Sequence, residues 1–192
     1  MNQRIQRLYD ELIKVITPNT VFACIGAAKT TSYLDSVGPQ IGDRLKQAGL
    51  PFVYGNHNMP YNGLTAEAMT AKINKRHKKQ TVIAIDACCT QFDSKLFKIE
   101  FAKGSMSPGA GLNKKLTSVG DYSIRAFTLT KNNIELLPNI KLMTSGQCDY
   151  YVRETDIIIE IISKAIIQAY NDVMNKTIKN ILPNTINKET LL

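Results

Sequence analysis

The chain has 192 residues, 44% of them hydrophobic and 21% charged, and a formal net charge of +8. This is near the usual size of one domain, with enough apolar residues for a core that needs no disulfide bonds. The N-terminus shows no apolar signal-peptide run, and the longest apolar stretch, residues 157–167, contains Glu160 and Lys164 and is too short to span a membrane. We therefore expect one cytoplasmic domain over residues 1–192, without a membrane partner.

The first half of the chain predicts an N-terminal helix followed by two strand–helix units. Apolar residues recur at helical spacing before Pro18, so residues 1–18 form an N-terminal helical segment. Two short apolar runs each lead into a glycine and a polar loop, which is typical of strands that connect to helices. In chain order, the elements are a helix over 3–16, a strand over 20–25, a helix over 39–48, a strand over 52–55 and a helix over 65–77.

The second half predicts the centre of a sheet and a long C-terminal helix. Residues 81–87 form a continuous apolar run, typical of a strand covered on both faces, and Asp86 lies at its C-terminal end. Further elements are strands over 96–102 and 122–130, one long helix or two joined helices over 150–180, and a flexible tail over 183–192. Strands that alternate with helices indicate an α/β three-layer sandwich.

Two aspartates stand where such a fold places its ligands. Asp86 ends one apolar strand, and Asp35 lies in the loop that leaves the strand over residues 20–25. Ligands bind at the carboxyl ends of the strands in open α/β sheets. Both carboxylates therefore lie at the same edge of the sheet if the two strands are neighbours. Each aspartate also has a structural interpretation, as a helix cap or as the end of a strand.

Other catalytic and metal-binding patterns fit poorly. GAAKTTS after the first strand has the wrong glycine spacing for a phosphate-binding loop. The sequence also lacks the Gly-x-Ser-x-Gly motif of a serine-hydrolase nucleophile elbow. A cysteine hydrolase built on Cys88 or Cys89 would need His57 or His77 brought in by the fold. The four cysteines have no CxxC spacing, so we predict structural thiols, no metal ion and no cofactor.

Two loops are predicted to bind the substrate. The segment over residues 104–121 is rich in glycine, and Gly109 and Gly111 would allow its backbone to approach a ligand as a lid or wall, although an ordinary surface loop is equally compatible. The predicted substrate-binding residues are Asn56 and Asn58 in the turn after the second strand, with Gly109, Gly111, Lys114 and Asp121 in this segment.

The basic residues do not indicate a nucleic-acid interface. Their densest run, residues 72–79, falls at the end of a predicted helix, where cations complement the helix dipole. Aromatic residues are not interleaved with it, as they are in proteins that bind single strands. We therefore do not expect a nucleic-acid partner, and the sequence leaves open whether the chain forms a homo-oligomer.

Five blocks resemble, in order and spacing, those of the YyaC-like sporulation proteins. They are CIG at 24–26, DSVGP at 35–39, VYGN at 53–56, AIDACC at 84–89 and SPGAGLNKKLTSVGD at 107–121. The last block is the most specific. The family is similar to the spore germination protease and, more distantly, to the hydrogenase maturation endopeptidases. This implies a phosphorylase/hydrolase-like mixed sheet with helices on both faces.

The resemblance also implies an activity. The germination protease takes its two catalytic aspartates from the corresponding blocks, and these fall on Asp35 and Asp86. Ser36 stands where the maturation endopeptidases carry an acidic metal ligand, which argues against a nickel-reading site. We therefore expect an aspartate-dependent peptidase of the sporulating cell or spore interior, with small acid-soluble spore proteins among its substrates. The alternative is a non-catalytic sporulation factor that binds a peptide or protein in the same cleft.

Overall fold

The computed structural model describes residues 2–108, 116–130 and 145–181. The helices are α1 (Gln3–Leu12), α2 (Val37–Gln47), α3 (Ala66–Arg76) and α4 (Ser145–Ile181), and the strands are β1 (Val21–Cys24), β2 (Val53–Tyr54), β3 (Val82–Thr90), β4 (Ile99–Lys103) and β5 (Tyr122–Thr130). A short 3-10 turn, Asp93–Lys95, joins β3 to β4. Within the described ranges, no helix combines the length and apolar character that a membrane span requires.

The five strands form one mixed sheet in the order β2-β1-β3-β5-β4. The first four strands of this order run parallel, and β4 pairs with β5 in the antiparallel direction. Helices α1, α2 and α4 pack on one face of the sheet, and α3 packs on the other. The α/β three-layer fold expected from the sequence is confirmed.

Alternate residues of each central strand enter opposite cores, because successive side chains of a strand point to opposite faces. On β3, Ile83 and Ile85 pack with α1, α2 and α4, whereas Val82 and Ala84 pack on the α3 side. Both cores are therefore apolar, which explains why residues 81–87 form a continuous apolar run instead of an alternating one.

Helices α1 and α4 differ most from the bounds predicted from the sequence. Helix α1 stops at Leu12, four residues before the predicted end, and the chain turns there while Ile16 still packs in the core. Helix α4 is one uninterrupted helix of 37 residues. Residues 183–192, predicted to be a flexible tail, lie outside the described residues.

The prediction for β3 requires a correction that bears on the site. Asp86 does not end the strand, because β3 continues to Thr90 beside β5. Strand β1 is shorter, and its last pair with β3 is Cys24 with Ile85. Asp86 therefore lies where the neighbouring strand stops, not where its own strand stops.

Candidate active site

Asp86 is positioned by the end of β1. The Ile25 N–H donates to the carbonyl of Ile85 at 2.7 Å, and this is the last bond between the two strands. The following residue of β3 is Asp86, so its side chain stands beside the point where β1 leaves the sheet. By strand alternation, it points to the α3 side, on the same face as Val82 and Ala84.

Asp35 is brought to the same point by the first turn of α2. A Cβ on Gly38 would lie 1.9 Å from the carbonyl oxygen of Ile25, so only glycine lets the helix rest directly on the end of β1. Asp35 precedes the N-cap residue of this helix, Ser36. The Ala27 N–H donates to both its carboxylate and its carbonyl oxygen, each at 3.2 Å. The DSVGP block thus holds Asp35 against the strand end.

The loop between Gly26 and Asp35 is closed by hydrogen bonds at both levels of its backbone. Its ends are joined because the Ala27 N–H donates to Asp35. Between them, the N–H groups of Thr31 and Ser32 donate to the carbonyl of Ala28, which forms a local turn.

The charge of Asp35 affects the protonation of Asp86. Burial raises the pKa of Asp86 well above its ordinary value, and the negative charge of Asp35 raises it further, against a weaker opposing effect of the Ala87 N–H. Burial raises the pKa of Asp35 to about 6, although the Ala27 N–H partly offsets this effect. Both residues keep some exposed surface, so the pair is largely shielded from water but still accessible to a substrate.

Contacts from distant parts of the chain hold the Asp35 loop. The Tyr33 hydroxyl donates to Asp156 of α4 at 2.5 Å, and the Thr128 hydroxyl donates to the carbonyl of Leu34 at 3.0 Å. Sequence reasoning missed these residues because more than 90 positions separate the partners in each pair. No local pattern could have signalled them.

Cys88 follows the pair on β3, and its surroundings do not favour a thiolate. Burial raises the pKa of Cys88 to about 12, and the nearby charge of Asp86 adds to the effect. Arg125, level with Asp86 on β5, has the opposite influence, and it also contacts Glu100 of β4 at 3.9 Å. A thiol nucleophile has little support here. Among the described residues, no three His, Cys, Asp or Glu side chains converge as metal ligands.

Asn56 and Asn58 lie in the loop after β2, at the same rim as the pair. The Asn56 side chain accepts from the Met59 N–H at 3.0 Å, and its own N–H donates to the Met59 carbonyl at 3.1 Å. Asn56 is therefore occupied in closing the turn, while Asn58 is exposed at its tip. The loop is held to α2 through Asp43, whose carboxylate accepts from the backbone N–H of His57.

Asp121 stands at the opposite end of the sheet. Its carboxylate accepts from the Val82 N–H at 2.8 Å, and its own N–H donates to the Val82 carbonyl at 2.7 Å. These bonds join the starts of β3 and β5, about 13 Å along the strand from Asp86. The structure thus gives Asp121 a sheet-capping contact and does not bring it to the carboxylate pair.

The glycine-rich segment is described only in its two arms. Gly109, Gly111 and Lys114 lie outside the described residues. The arms pair through Met106 and Val119, which pack on the α3 side of the sheet, the face to which Asp86 points. Thr117 donates from its N–H and its hydroxyl to Glu67 in the first turn of α3, at 2.6 and 2.8 Å. The arms therefore extend towards the rim that carries Asp86.

Two comparisons with known proteins match this chain. A family model described as "Protein of unknown function (DUF1256)" matches residues 1–145, which include all five strands and both aspartates. A curated relative, "Uncharacterized protein YyaC" from Bacillus subtilis (strain 168), is 34% identical over 139 residues. The match covers 70% of this chain and 66% of that relative, slightly less than two thirds of its length.

Proposed function

The chain belongs to the DUF1256 family as a YyaC-like protein, and within that membership we propose that it is a peptidase whose catalytic residues are Asp35 and Asp86. One observation carries the proposal. Two desolvated carboxylates from separate elements lie where the pairing of β1 with β3 ends, and the charge of Asp35 raises the pKa of Asp86. Pairs of this kind supply an acid and a base at one pH.

The two aspartates take different roles near neutral pH. With a pKa of about 6, Asp35 is mostly ionised and accepts a proton from a water molecule as it attacks the scissile carbonyl carbon. Asp86 keeps its proton, because its pKa lies well above the ordinary value, and donates it to the leaving amine as the C–N bond breaks. Asp35 then releases its proton and Asp86 takes one up, which returns both carboxyl groups to their starting protonation states.

A purely structural role accounts less well for this pair. A capping aspartate accepts hydrogen bonds from backbone N–H groups, and Asp121 shows that arrangement with Val82. Asp35 and Asp86 each have one backbone donor offsetting a larger cost of burial. A fold that gained only capping from them would leave a costly pair of desolvated acids that is only partly compensated.

The substrate class follows from the resemblance noted in the sequence. Sporulation proteins similar to the germination protease suggest small acid-soluble spore proteins as the first substrates to try. The corresponding compartment is the cytoplasm of the sporulating cell or the spore interior.

The test compares two catalytic variants with a matched control. Asp35→Asn and Asp86→Asn keep the side-chain size and one acceptor but cannot exchange a proton, so each should lower cleavage by about a hundredfold or more. Asp93→Asn alters an exposed aspartate in the turn after β3 and should leave cleavage unchanged. Cleavage is measured by mass spectrometry on small acid-soluble spore proteins and on a peptide library.

Full cleavage activity in either catalytic variant would rule out Asp35 and Asp86 as a catalytic pair. If the parent binds a peptide without cleaving it, and the two variants bind equally, the non-catalytic sporulation factor becomes the better description. If both variants fail to fold, the two aspartates have a structural role as caps at the strand ends.

A further inference from the structure

Helix α3 covers only part of the sheet face to which Asp86 points. The core on this side contains residues of β1 and β3, and among the described residues none of β4 or β5 belongs to it. On these two strands, the side chains of Arg125 and Glu100 are 40% and 43% exposed. The part of this face formed by β5 and β4 next to Asp86 is here named the open face.

Arg125 points to the open face at the level of Asp86. The two residues are partners in the parallel pairing of β3 and β5. Ile124 and Ala126, the neighbours of Arg125 in the chain, pack in the opposite core with α1, α2 and α4, so Arg125 points the other way. Adjacent strands lie about 4.8 Å apart, which places the Arg125 backbone one strand spacing from Asp86.

Glu100 of β4 is the acid that accompanies Arg125. The two residues pair in the antiparallel register, and the Glu100 Oε2 lies 3.9 Å from the Arg125 Nη1. A contact of this length between two partly exposed side chains is weak. It involves one of the three guanidinium nitrogens, and a guanidinium has five N–H donors in a planar fork. Most of the binding capacity of Arg125 is therefore not used by this contact.

The positive charge of Arg125 does not neutralise the proposed catalytic acid. Burial and the negative charge of Asp35 dominate the pKa of Asp86. The charge of Arg125 acts on Cys88, two residues further along β3, where it lowers a pKa that burial raises more strongly. The acid at ion-pair distance from Arg125 is Glu100. Arg125 thus lies beside the carboxylate pair with its charge available to another anion.

A second cation lies at the same side of the sheet. The Lys95 Nζ is 5.6 Å from the centre of the Phe127 ring. Phe127 follows Arg125 by two residues on β5 and pairs with Cys88, so it belongs to the next row of the open face. Among the described residues of these rows, Lys95 and Arg125 therefore supply more positive charge than Glu100 balances, and the whole chain has a net charge of +8.

We propose that Arg125 binds a carboxylate of the substrate on the open face, beside the peptide bond held at Asp35 and Asp86. A guanidinium binds a carboxylate through two parallel N–H···O bonds, which fix its orientation as well as its position. Residues of an extended substrate are about 3.3 Å apart, so one strand spacing corresponds to one or two residues from the scissile bond. The carboxylate belongs to an Asp or Glu side chain or to the C-terminus of the substrate. This inference rests on the proposed peptidase function and adds its substrate class.

The experiment uses matched pools of nonapeptides as probes. One pair of pools differs only in Glu or Gln at a fixed position, which is moved along the peptide, and another pair has free or amidated C-termini. Cleavage by the parent is measured by mass spectrometry, and binding is measured in parallel with Asp86→Asn. The carboxylate-bearing pool should be favoured by about tenfold or more in both measurements. Arg125→Gln should reduce this preference to within about twofold.

Three further variants separate recognition from a structural role. Arg125→Glu should reverse the preference, so that Lys at the same peptide position is favoured over Glu. Glu100→Gln removes the competing acid and should increase the preference by about twofold or more. Arg76→Gln is the matched control, because Arg76 is exposed at the end of α3, far from the open face, and it should keep the parental preference.

Equal treatment of the carboxylate and amide pools by the parent would overturn the inference. A preference that survives in Arg125→Gln would also overturn it, because another group would then bind the carboxylate. A preference confined to free C-termini assigns the terminal carboxylate, and one confined to a fixed Glu assigns a side chain.

The two proposals can fail separately. If the pools are cleaved without preference, the peptidase proposal stands and the Arg125 inference falls. Binding that prefers carboxylates and depends on Arg125, without any cleavage, gives the reverse result. The absence of any binding at about 1 mM would overturn the Arg125 inference.

Discussion

Gly38 lies against Ile25 so closely that a Cβ on Gly38 would fall 1.9 Å from the Ile25 carbonyl oxygen and 2.6 Å from its nitrogen. The contact joins the first turn of α2 to the last residue before the Asp35 loop. The position of Asp35 therefore depends on a backbone contact that no other residue type permits at position 38.

Gly38→Ala should lower the free energy of unfolding by about 3 kcal/mol or more, because the methyl group meets backbone and α2 must move away. Gly49→Ala is the matched control, since Gly49 has a positive φ of 82° but no atom within 4 Å of the added Cβ. It should cost about 1 kcal/mol. Urea denaturation measures the free energy of unfolding of both variants. Equal losses of stability in the two would contradict the close contact at Gly38.

Stability should fall as the pH rises from about 4 to about 6. Asp35 has a folded pKa of about 6 and an unfolded pKa near 3.8, so the folded state holds a proton that the unfolded state has released. Asp35 alone should lower the free energy of unfolding by about 2 to 3 kcal/mol over this range. The raised pKa of Asp86 adds to this decline and continues it to higher pH.

Asp35→Asn removes this ionisation, so it should make the decline between pH 4 and 6 less steep and exceed the parent in stability near neutral pH. Asp93→Asn, at an exposed position, should keep the parental slope. Urea melts across this pH range provide the measurement. A parent whose stability rises over the same interval would contradict the raised pKa of Asp35.

The thiol of Cys88 should be unreactive in the folded protein. Its pKa is raised to about 12 by burial, so almost none of it is thiolate at neutral pH, and burial also raises the pKa of Cys24. Iodoacetamide should modify the exposed Cys89 before either of them, as mapped by mass spectrometry. Cys88→Ala should keep any cleavage activity, and a loss of about a hundredfold would favour the thiol mechanism.

Tyr33→Phe should reduce catalytic turnover with little change in stability, because it releases the Asp35 loop from Asp156. A fall of about tenfold in kcat is expected if Asp35 then samples unproductive positions. Tyr9→Phe removes a comparable bond of 2.8 Å to Asp172 on the same helix and should leave kcat unchanged. Equal kcat values in the two variants would show that the Tyr33 contact does not position Asp35.

The sequence predicted the fold well where the signal is local. The apolar run before Asp86 predicted a central strand, and the strand predicted over residues 122–130 has the bounds of β5. The extent of β3 was underestimated because its last residues are held by pairing with β5, which lies more than 30 positions away. Strand order depends on such distant pairs, so periodicity could not provide it.

The site was predictable to the same degree. Strand-end reasoning selected Asp86 at the end of an apolar run and Asp35 in the loop that leaves another, and the structure brings them to one rim. The same reasoning could not separate Asp121 from them. An aspartate before a strand and one beside a strand end have similar sequence surroundings but lie at opposite ends of the sheet.

Strand β5 lies between β3 and β4, although it follows both in the chain. Until Tyr122–Thr130 has been synthesised and inserted, β3 and β4 have no strand to join them. Before β5 is available, a nascent chain would therefore expose the unpaired backbone edges of β3 and β4. Such edges can pair with strands of other chains. Folding should accordingly be limited by a long-range closure, which is slow compared with the formation of its helices.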